Sequence, residues 1–568
     1  MTAGPLLVFG PRSSTYDFGP GHPLTPRRFG PGIDLLRTVG AVPGLAPEPA
    51  ADEELLEIHS ARYLAAVRRL SANPSGEPEA GLAAFGDDPP FLGMHPAAAA
   101  VAGGSLRAME AILQGEAEHA FHPGGGLHHA MPGRASGFCI YNDPALAISA
   151  ARRAGLRVLY VDLDVHHGDG VQAIHSADPG VLTVSIHESG RTLFPGTGFV
   201  DELGDGVAAG TSINLPLAAG TGEAAWLAGV RGLVPALAAS FGPDLIVSQH
   251  GADSHAWDPL AHLLVTTTAM GEAARLVDAI AHRHAAGRWL STGGGGYDVY
   301  RVVPRTWALT WLAGAHAGAP EATDPGWRAR WAGDAARWDQ GPPPSTFDDL
   351  PNAGLSVSDL QRQAEMRSLE TLAQVRAIAL PRLLVVAGER GWWDPLAATA
   401  DGPIEAPASG GVPTIVPNLE PDVAERLVVD PRMMQPADPR AARPLLLAAL
   451  RDGARASGAV VSDHLVGVVV SRSGSEAGGP VELLWIGVAP AHRQQGVASA
   501  LLAAAIGPRP AGEVSERWSA RVGVAERDVV DPLPLALRQS IAGRLLGRVG
   551  FVGAPRQASD PGARFTLG

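Results

Sequence analysis

The sequence predicts an α/β domain built on a mainly parallel sheet, followed by a second, smaller α+β domain. Short apolar strands alternate with Ala-rich helical stretches through the first two thirds of the chain. Each strand candidate finishes in polar or Gly-rich sequence, the place where sites gather in such sheets. At 568 residues the chain is also too long for one ordinary core.

The elements follow in order. "RVLYVDLDV" (157–165), "VLTVSIHE" (181–188), "PDLIVSQHG" (243–251) and "RWLSTGGGG" (288–296) read as strands. "WLAGVRGLVPALAASFG" (226–242) and "TAMGEAARLVDAIAHRHAAG" (268–287) read as helices between them. Residues 356–386 read as a long helix with Ser356 or Ser358 as its cap. The Pro-, Gly- and Ala-rich run that follows has no periodicity and reads as a linker. This places a first domain at 1–393, a linker at 394–412 and a second domain at 413–568.

Composition limits the functional classes. The net charge of −14 argues against nucleic acid as a general partner. One cysteine, Cys139, permits no intrachain disulfide. No apolar run approaches the roughly 20 residues of a membrane span, and "MTAGPLLVFGPRSS" lacks the features of a signal peptide. The expectation is a cytoplasmic protein without a membrane partner, of undetermined oligomeric state. The chain contains no lysine, so all 44 basic side chains are arginine. A GC-rich coding sequence accounts for this simply. Whatever the cause, no side-chain amine here can be acylated.

"VDLDVHHGDG" (161–170) crowds ionisable groups onto an otherwise apolar strand. By strand alternation Asp162, Asp164 and His166 share one face and His167 the other. Two carboxylates and an imidazole converging at a strand end call for a cation. Carboxylate oxygen and imidazole nitrogen suit zinc, and also ferrous iron or cobalt. A solvated or salt-bridged Asp-rich loop is the plainer alternative. "HPGGGLHHA" sets His128 beside His129, which costs energy if both are charged; two surface histidines are the alternative. "SQHGADSH" puts Asp253 just past an apolar strand, where it completes an Asp–His–Asp set. "STGGGGYD" places Tyr297 after glycines that allow close backbone approach. His167 reads as structural. Cys139 is not needed as a nucleophile by a hydrolytic metal site.

In order, "PGGGLHHA", "SGFCIYND", "VDLDVHHGDGV", "FPGTG", "HGADS" and "STGGGGYD" resemble the zinc-dependent histone deacetylase superfamily, in the flavour of the acetoin-utilisation-type bacterial deacetylases. The match runs over roughly residues 5–385. The resemblance implies an arginase/deacetylase-like α/β fold and hydrolysis of an acetylated amine. It implies Asp164, His166 and Asp253 as zinc ligands. It casts His128 and His129 as the acid–base pair, with Asp162 orienting His128 and Asp169 orienting His129. Tyr297 would donate to the oxyanion. Phe138 and Phe194 match the aromatic walls of an acyl-lysine tunnel, and Asp88 a rim carboxylate that holds the substrate backbone. The carbonyls of Asp162, Asp164 and His166, with Ser185, resemble a potassium site. Relatives acting on acetylpolyamines carry an acidic gatekeeper where Leu260 stands here, which favours acyl-lysine in proteins. Acetyl-CoA synthetase is the partner the family implies.

The second domain carries a separate signal. "VELLWIGVAPAHRQQGVASALLAAAI" reads strand, turn, helix, and Arg493, Gly496 and Ala498 fit the pyrophosphate-binding pattern of GNAT-type N-acetyltransferases. The resemblance implies acetyl-CoA on the backbone amides of a helix N-terminus. Leu546 occupies the place of a frequent general-acid tyrosine, and Glu482 is a candidate base. The expectation is therefore a bifunctional or acetyl-CoA-sensing deacetylase. A deacylase of small acetylated amines or polyamines with a non-catalytic second domain is the alternative. Arginase-type ureohydrolysis lacks its second set of metal ligands.

Overall fold

The computed structural model describes residues 4–349 and 358–390, together with seven strands beyond them. The chain divides into two compact units, Met1–Trp392 and Trp393–Gly568.

The first unit is built on eight strands: β1 (Leu6–Val8), β2 (Pro43–Leu45), β3 (His119–His122), β4 (Val158–Asp162), β5 (Val181–Glu188), β6 (Ser212–Leu217), β7 (Leu245–Gln249) and β8 (Trp289–Thr292). They lie in the order β2-β1-β3-β8-β7-β4-β5-β6, and every pairing is parallel. A parallel sheet is covered on both faces, so its strands are apolar throughout. Val158, Leu159 and Val161 of β4 and Leu245, Ile246 and Val247 of β7 are at most 1% exposed.

Register sets the site. His122, Thr292, Gln249, Asp162 and Ser185 stand opposite one another across β3, β8, β7, β4 and β5. The carboxyl ends of β3, β8, β7 and β4 are therefore level, while β5 runs on to Glu188, and the loops leaving these strands share one edge.

Three expectations need correction. The strand at 157–165 stops at Asp162, and Leu163 to Gly168 form a loop. Alternation along a strand therefore does not place Asp164 and His166; the loop does. The long helix spans Asp359–Glu389 rather than 356–386, and Ser358 caps it by accepting from the Gln361 N–H at 3.1 Å. The helix Glu223–Phe241 is 19 residues long and apolar enough to cross a membrane by length and composition, contrary to the reading that no such run exists. Its apolar residues have a different cause. Trp226, Val230, Leu233, Leu237 and Phe241 are at most 1% exposed, packed between the sheet and neighbouring helices.

The second unit contains an antiparallel four-stranded sheet of β9 (Thr414–Val416), β10 (Arg455–Val461), β11 (His464–Ser473) and β12 (Val481–Val488). A three-stranded sheet of β13 (Ser519–Val522), β14 (Phe551–Gly553) and β15 (Ala563–Leu567) accompanies it. Glu482 lies near the start of β12, opposite Arg472 in the register. Arg493, Gly496, Ala498 and Leu546 lie outside the described residues.

Candidate active site

The loops after β4 and β7 bring Asp164, His166 and Asp253 together, with one ligand-type atom of each within 4.8 Å of the others. His166 Nδ1 is 3.1 Å from Asp164 Oδ1 and 3.3 Å from Asp253 Oδ2. All three residues are buried. The remaining oxygens are held by the scaffold. Gln249 Nε2 donates to Asp164 Oδ2 at 2.6 Å and the Gly295 N–H, in the loop after β8, to the same oxygen at 2.8 Å. The Val165 N–H donates to Asp253 Oδ1 at 3.0 Å.

This donor set fits a divalent cation. Asp253 Oδ2 is fully buried with no well-formed hydrogen bond, His166 Nδ1 at 3.3 Å being its near polar neighbour, and a buried carboxylate oxygen of this kind favours a cation beside it. A Cβ on Gly295 would collide with that oxygen, so only glycine lets the backbone pass. One imidazole and two carboxylates leave room for a water and a substrate oxygen, as catalytic zinc sites do. Burial opposes charge on His166, but Asp164 and Asp253 outweigh it and lift the ring to about 10. A metal would therefore bind here by displacing that proton.

The two adjacent histidines form the second half of the site. His128 Nδ1 lies 2.7 Å from Asp162 Oδ2, and His129 Nδ1 lies 2.6 Å from Asp169 Oδ1. Their Nε2 atoms face each other at 3.0 Å. The Tyr160 hydroxyl also donates to Asp162 Oδ2, at 2.7 Å. Burial disfavours charge on both rings. On His128 the Asp162 and Asp164 carboxylates prevail and raise it to about 9. On His129 burial and the neighbouring His128 prevail and lower it to about 4. Two like side chains are thus pushed apart into a charged and a neutral member, as in sites that need both an acid and a base.

Tyr297 follows Gly296, whose φ is +126°. Its N–H donates to Asp258 Oδ2 at 2.8 Å and its carbonyl accepts from Gln340 Nε2 at 3.1 Å. Burial, then Asp253 and Asp164, hold the phenol well above its ordinary pKa, so it stays a donor. Phe138 meets Tyr297 edge-on at 5.9 Å, and Phe194 meets His129 edge-on at 5.0 Å and His166 at 6.3 Å. Phe194 is 39% exposed and marks the solvent side. Leu260 is half-buried against the same apolar cluster as Phe138.

Asp88 is the residue expected to hold the substrate backbone. It is only 2% exposed, and its buried Oδ1 has no hydrogen-bond partner. Burial, reinforced by Asp87, raises it to about 8. Ser185, expected near a potassium ion, has its hydroxyl 2.8 Å from His187 Nδ1. His167 is turned away, between Thr197 Oγ1 at 2.9 Å and Gln172 Oε1 at 3.0 Å. Cys139 is buried, its thiol donating to the Gly137 carbonyl at 3.2 Å, and burial pushes its pKa well up.

Sequence reasoning missed the supporting residues. Arg28 is 4% exposed and donates to the Gly294 carbonyl at 2.7 Å, steadying the turn before Tyr297. Asp143 accepts from the N–H groups of Gly126 and Leu127 at 3.0 and 2.8 Å, fixing the turn before His128. Gln249 and Asp258 complete this set. "SGFCIYND" contains Asp143, but nothing local marks its acceptor role.

Comparison with known proteins agrees with this arrangement. Residues 22–313 match the histone deacetylase domain family, and residues 424–510 match the acetyltransferase (GNAT) family. The chain is 43% identical over 332 residues to the acetoin utilization protein AcuC of Bacillus subtilis, covering 57% of this chain and 86% of that protein. It is 38% identical over 312 residues to AcuC of Staphylococcus aureus strain COL, covering 54% and 80%. A solved structure of an HDAC homolog complexed with SAHA superimposes with a TM-score of 0.56 at 26% identity, covering 64% of this chain and all of that one.

Proposed function

Since the chain belongs to the histone deacetylase family, we propose that it hydrolyses acetyl-lysine in proteins and that its GNAT domain binds acetyl-CoA, either to transfer the acetyl group or to sense it. The observation that supports this most is the pair of buried histidines, each held by its own carboxylate, beside the Asp164–His166–Asp253 set.

A zinc ion held by those three residues would polarise the substrate carbonyl and acidify the attacking water; ferrous iron or cobalt fits the same donors. The chain's own residues do the rest. Neutral His129 takes the proton from water, and Asp169 keeps its ring oriented. Charged His128, oriented by Asp162, delivers a proton to the departing amine as the amide C–N bond breaks. Tyr297 donates its hydroxyl hydrogen bond to the oxygen that gains charge. Acetate and a free amine leave. Phe138 and Phe194 line the path of the acyl-lysine stem, and Asp88 accepts from the substrate backbone. The carbonyls of Asp162, Asp164 and His166, with Ser185, are the candidate potassium ligands.

Leu260 offers nothing to a second ammonium group, which favours acyl-lysine over acetylpolyamines. Acetyl-CoA synthetase in the cytoplasm is a candidate target. In the second domain, Arg493, Gly496 and Ala498 are the candidate acetyl-CoA contacts. A chain without lysine cannot acetylate its own side-chain amines, so the fusion is suited to tuning another protein.

The test is metal analysis coupled to turnover. The zinc-loaded full chain is assayed on acetyl-lysine peptides and on acetylpolyamines. Preference for peptides supports the reading; preference for polyamines moves it to small acetylated amines.

A further inference from the structure

Four side chains outside the active site converge at the opposite end of the same sheet. His119 opens β3, whose other end is His122 in the active-site row. Asp278 and His282 lie one turn apart on the helix Thr267–His284. His316 follows the helix Val303–Gly314 and has a φ of +53°.

One ligand-type atom of each lies within 4.8 Å of the others. His282 Nε2 is 3.1 Å from His119 Nε2 and 2.9 Å from His316 Nε2. Asp278 Oδ1 is 3.5 Å from His119 Nε2, 3.5 Å from His282 Nε2 and 3.3 Å from His316 Nε2. Hydrogen bonding does not account for this convergence. A neutral imidazole has one N–H, so three rings meeting through the same nitrogen cannot all donate and accept well. Asp278 is 9% exposed, yet its Oδ1, aimed into the cluster, accepts no hydrogen bond.

The separations suit a tetrahedron. Metal–nitrogen bonds of about 2.0–2.1 Å give ligand-to-ligand edges of about 3.3 Å. We propose that His119, Asp278, His282 and His316 form a second metal site, for a divalent transition ion of the zinc class. Three imidazoles and one carboxylate select against magnesium and calcium. Four protein ligands leave no open coordination position, so the ion is a structural clamp. The side chains of His282 and His316 are 37% and 41% exposed and provide the entry path. Glu118 Oε1 lies 3.8 Å from His282 Nδ1, on the far side of the ring. The clamp ties the start of β3 to the ends of two helices, and β3 leads directly into the turn that carries His128 and His129.

The experiment uses the full chain, stripped with a chelator and reloaded with zinc, with metal per chain measured by mass spectrometry. Two equivalents are expected in the wild type, one in Asp253→Ala and one in His282→Gln/His316→Gln. Reloading Asp253→Ala with cobalt should give the visible absorption of a tetrahedral ion, and adding His316→Gln, at an exposed position, should remove it. One equivalent in the wild type would overturn the proposal. So would an unchanged metal content in the His282→Gln/His316→Gln protein, or cobalt absorption that survives His316→Gln.

Discussion

Asp88→Asn should stabilise the protein and weaken its hold on peptide substrates. The Asp88 carboxyl is 2% exposed, with one oxygen unpartnered, and burial raises it to about 8. An acid whose folded pKa lies above its unfolded value binds more protons folded than unfolded between the two. Stability therefore falls as pH rises through that window, by about 1.4 kcal/mol per pH unit. Asparagine keeps the shape and never ionises. From about pH 5 to pH 7 the gap between the Asp88→Asn variant and wild type should widen by about 3 kcal/mol in favour of the variant. Taking the difference cancels the opposite contribution of buried neutral histidines such as His59 and His175, both lowered to about 4 chiefly by burial. Thermal midpoints of the two proteins, measured across this range, read the gap directly. If Asp88 accepts from substrate amides, the same substitution should also raise KM for acetyl-lysine peptides above about pH 8, where the carboxyl is ionised, by roughly tenfold, the value of one charge-assisted hydrogen bond. KM for acetyl-lysine lacking flanking amides should not change. A gap that does not depend on pH would refute the burial argument, and equal KM changes for both substrates would refute the substrate contact.

Tyr297→Phe should retain zinc and lose about 10²–10³ in kcat, the usual cost of one oxyanion donor; unchanged kcat would remove Tyr297 from the chemistry. Asp164→Ala should lose the active-site ion and all turnover, whereas His167→Ala, which removes a ring facing Thr197 and Gln172, should keep both. Zinc binding at the active site should release a proton near neutral pH, because His166 is held charged up to about 10 without it. Calorimetry in buffers of different ionisation enthalpy measures that proton. Leu260→Glu should shift preference toward acetylpolyamines, read as the ratio of kcat/KM for the two substrates. Acetyl-CoA should bind the full chain in the micromolar range, about −8 kcal/mol, and Gly496→Glu should abolish that binding by placing a carboxylate in the phosphate cradle.

The alternation of apolar strands with helices was enough to read the parallel sheet, because a strand covered on both faces must be apolar whatever its neighbours. Asp164, His166, His128 and His129 were legible as well. They sit in short runs whose density of ionisable groups is too costly to bury without a shared purpose. Strand alternation, however, was the wrong reason for Asp164 and His166, since β4 ends at Asp162 and a loop places them. The helix Glu223–Phe241 shows a similar limit: composition alone cannot tell a core helix from a membrane span, because both are long and mostly apolar. Tertiary structure alone decided which histidine stays charged. That depends on carboxylates brought close from elsewhere in the chain, and on the depth at which all of them are buried. It alone made Asp88 a buried acid, and brought Arg28, Asp143, Gln249 and Asp258 to the turns they hold. It alone gathered His119, Asp278, His282 and His316, of which only the one-turn spacing of Asp278 and His282 is local. Hydrogen bonding and metal ligation act over about 2–3 Å, and in a folded chain that distance carries no memory of separation along the sequence.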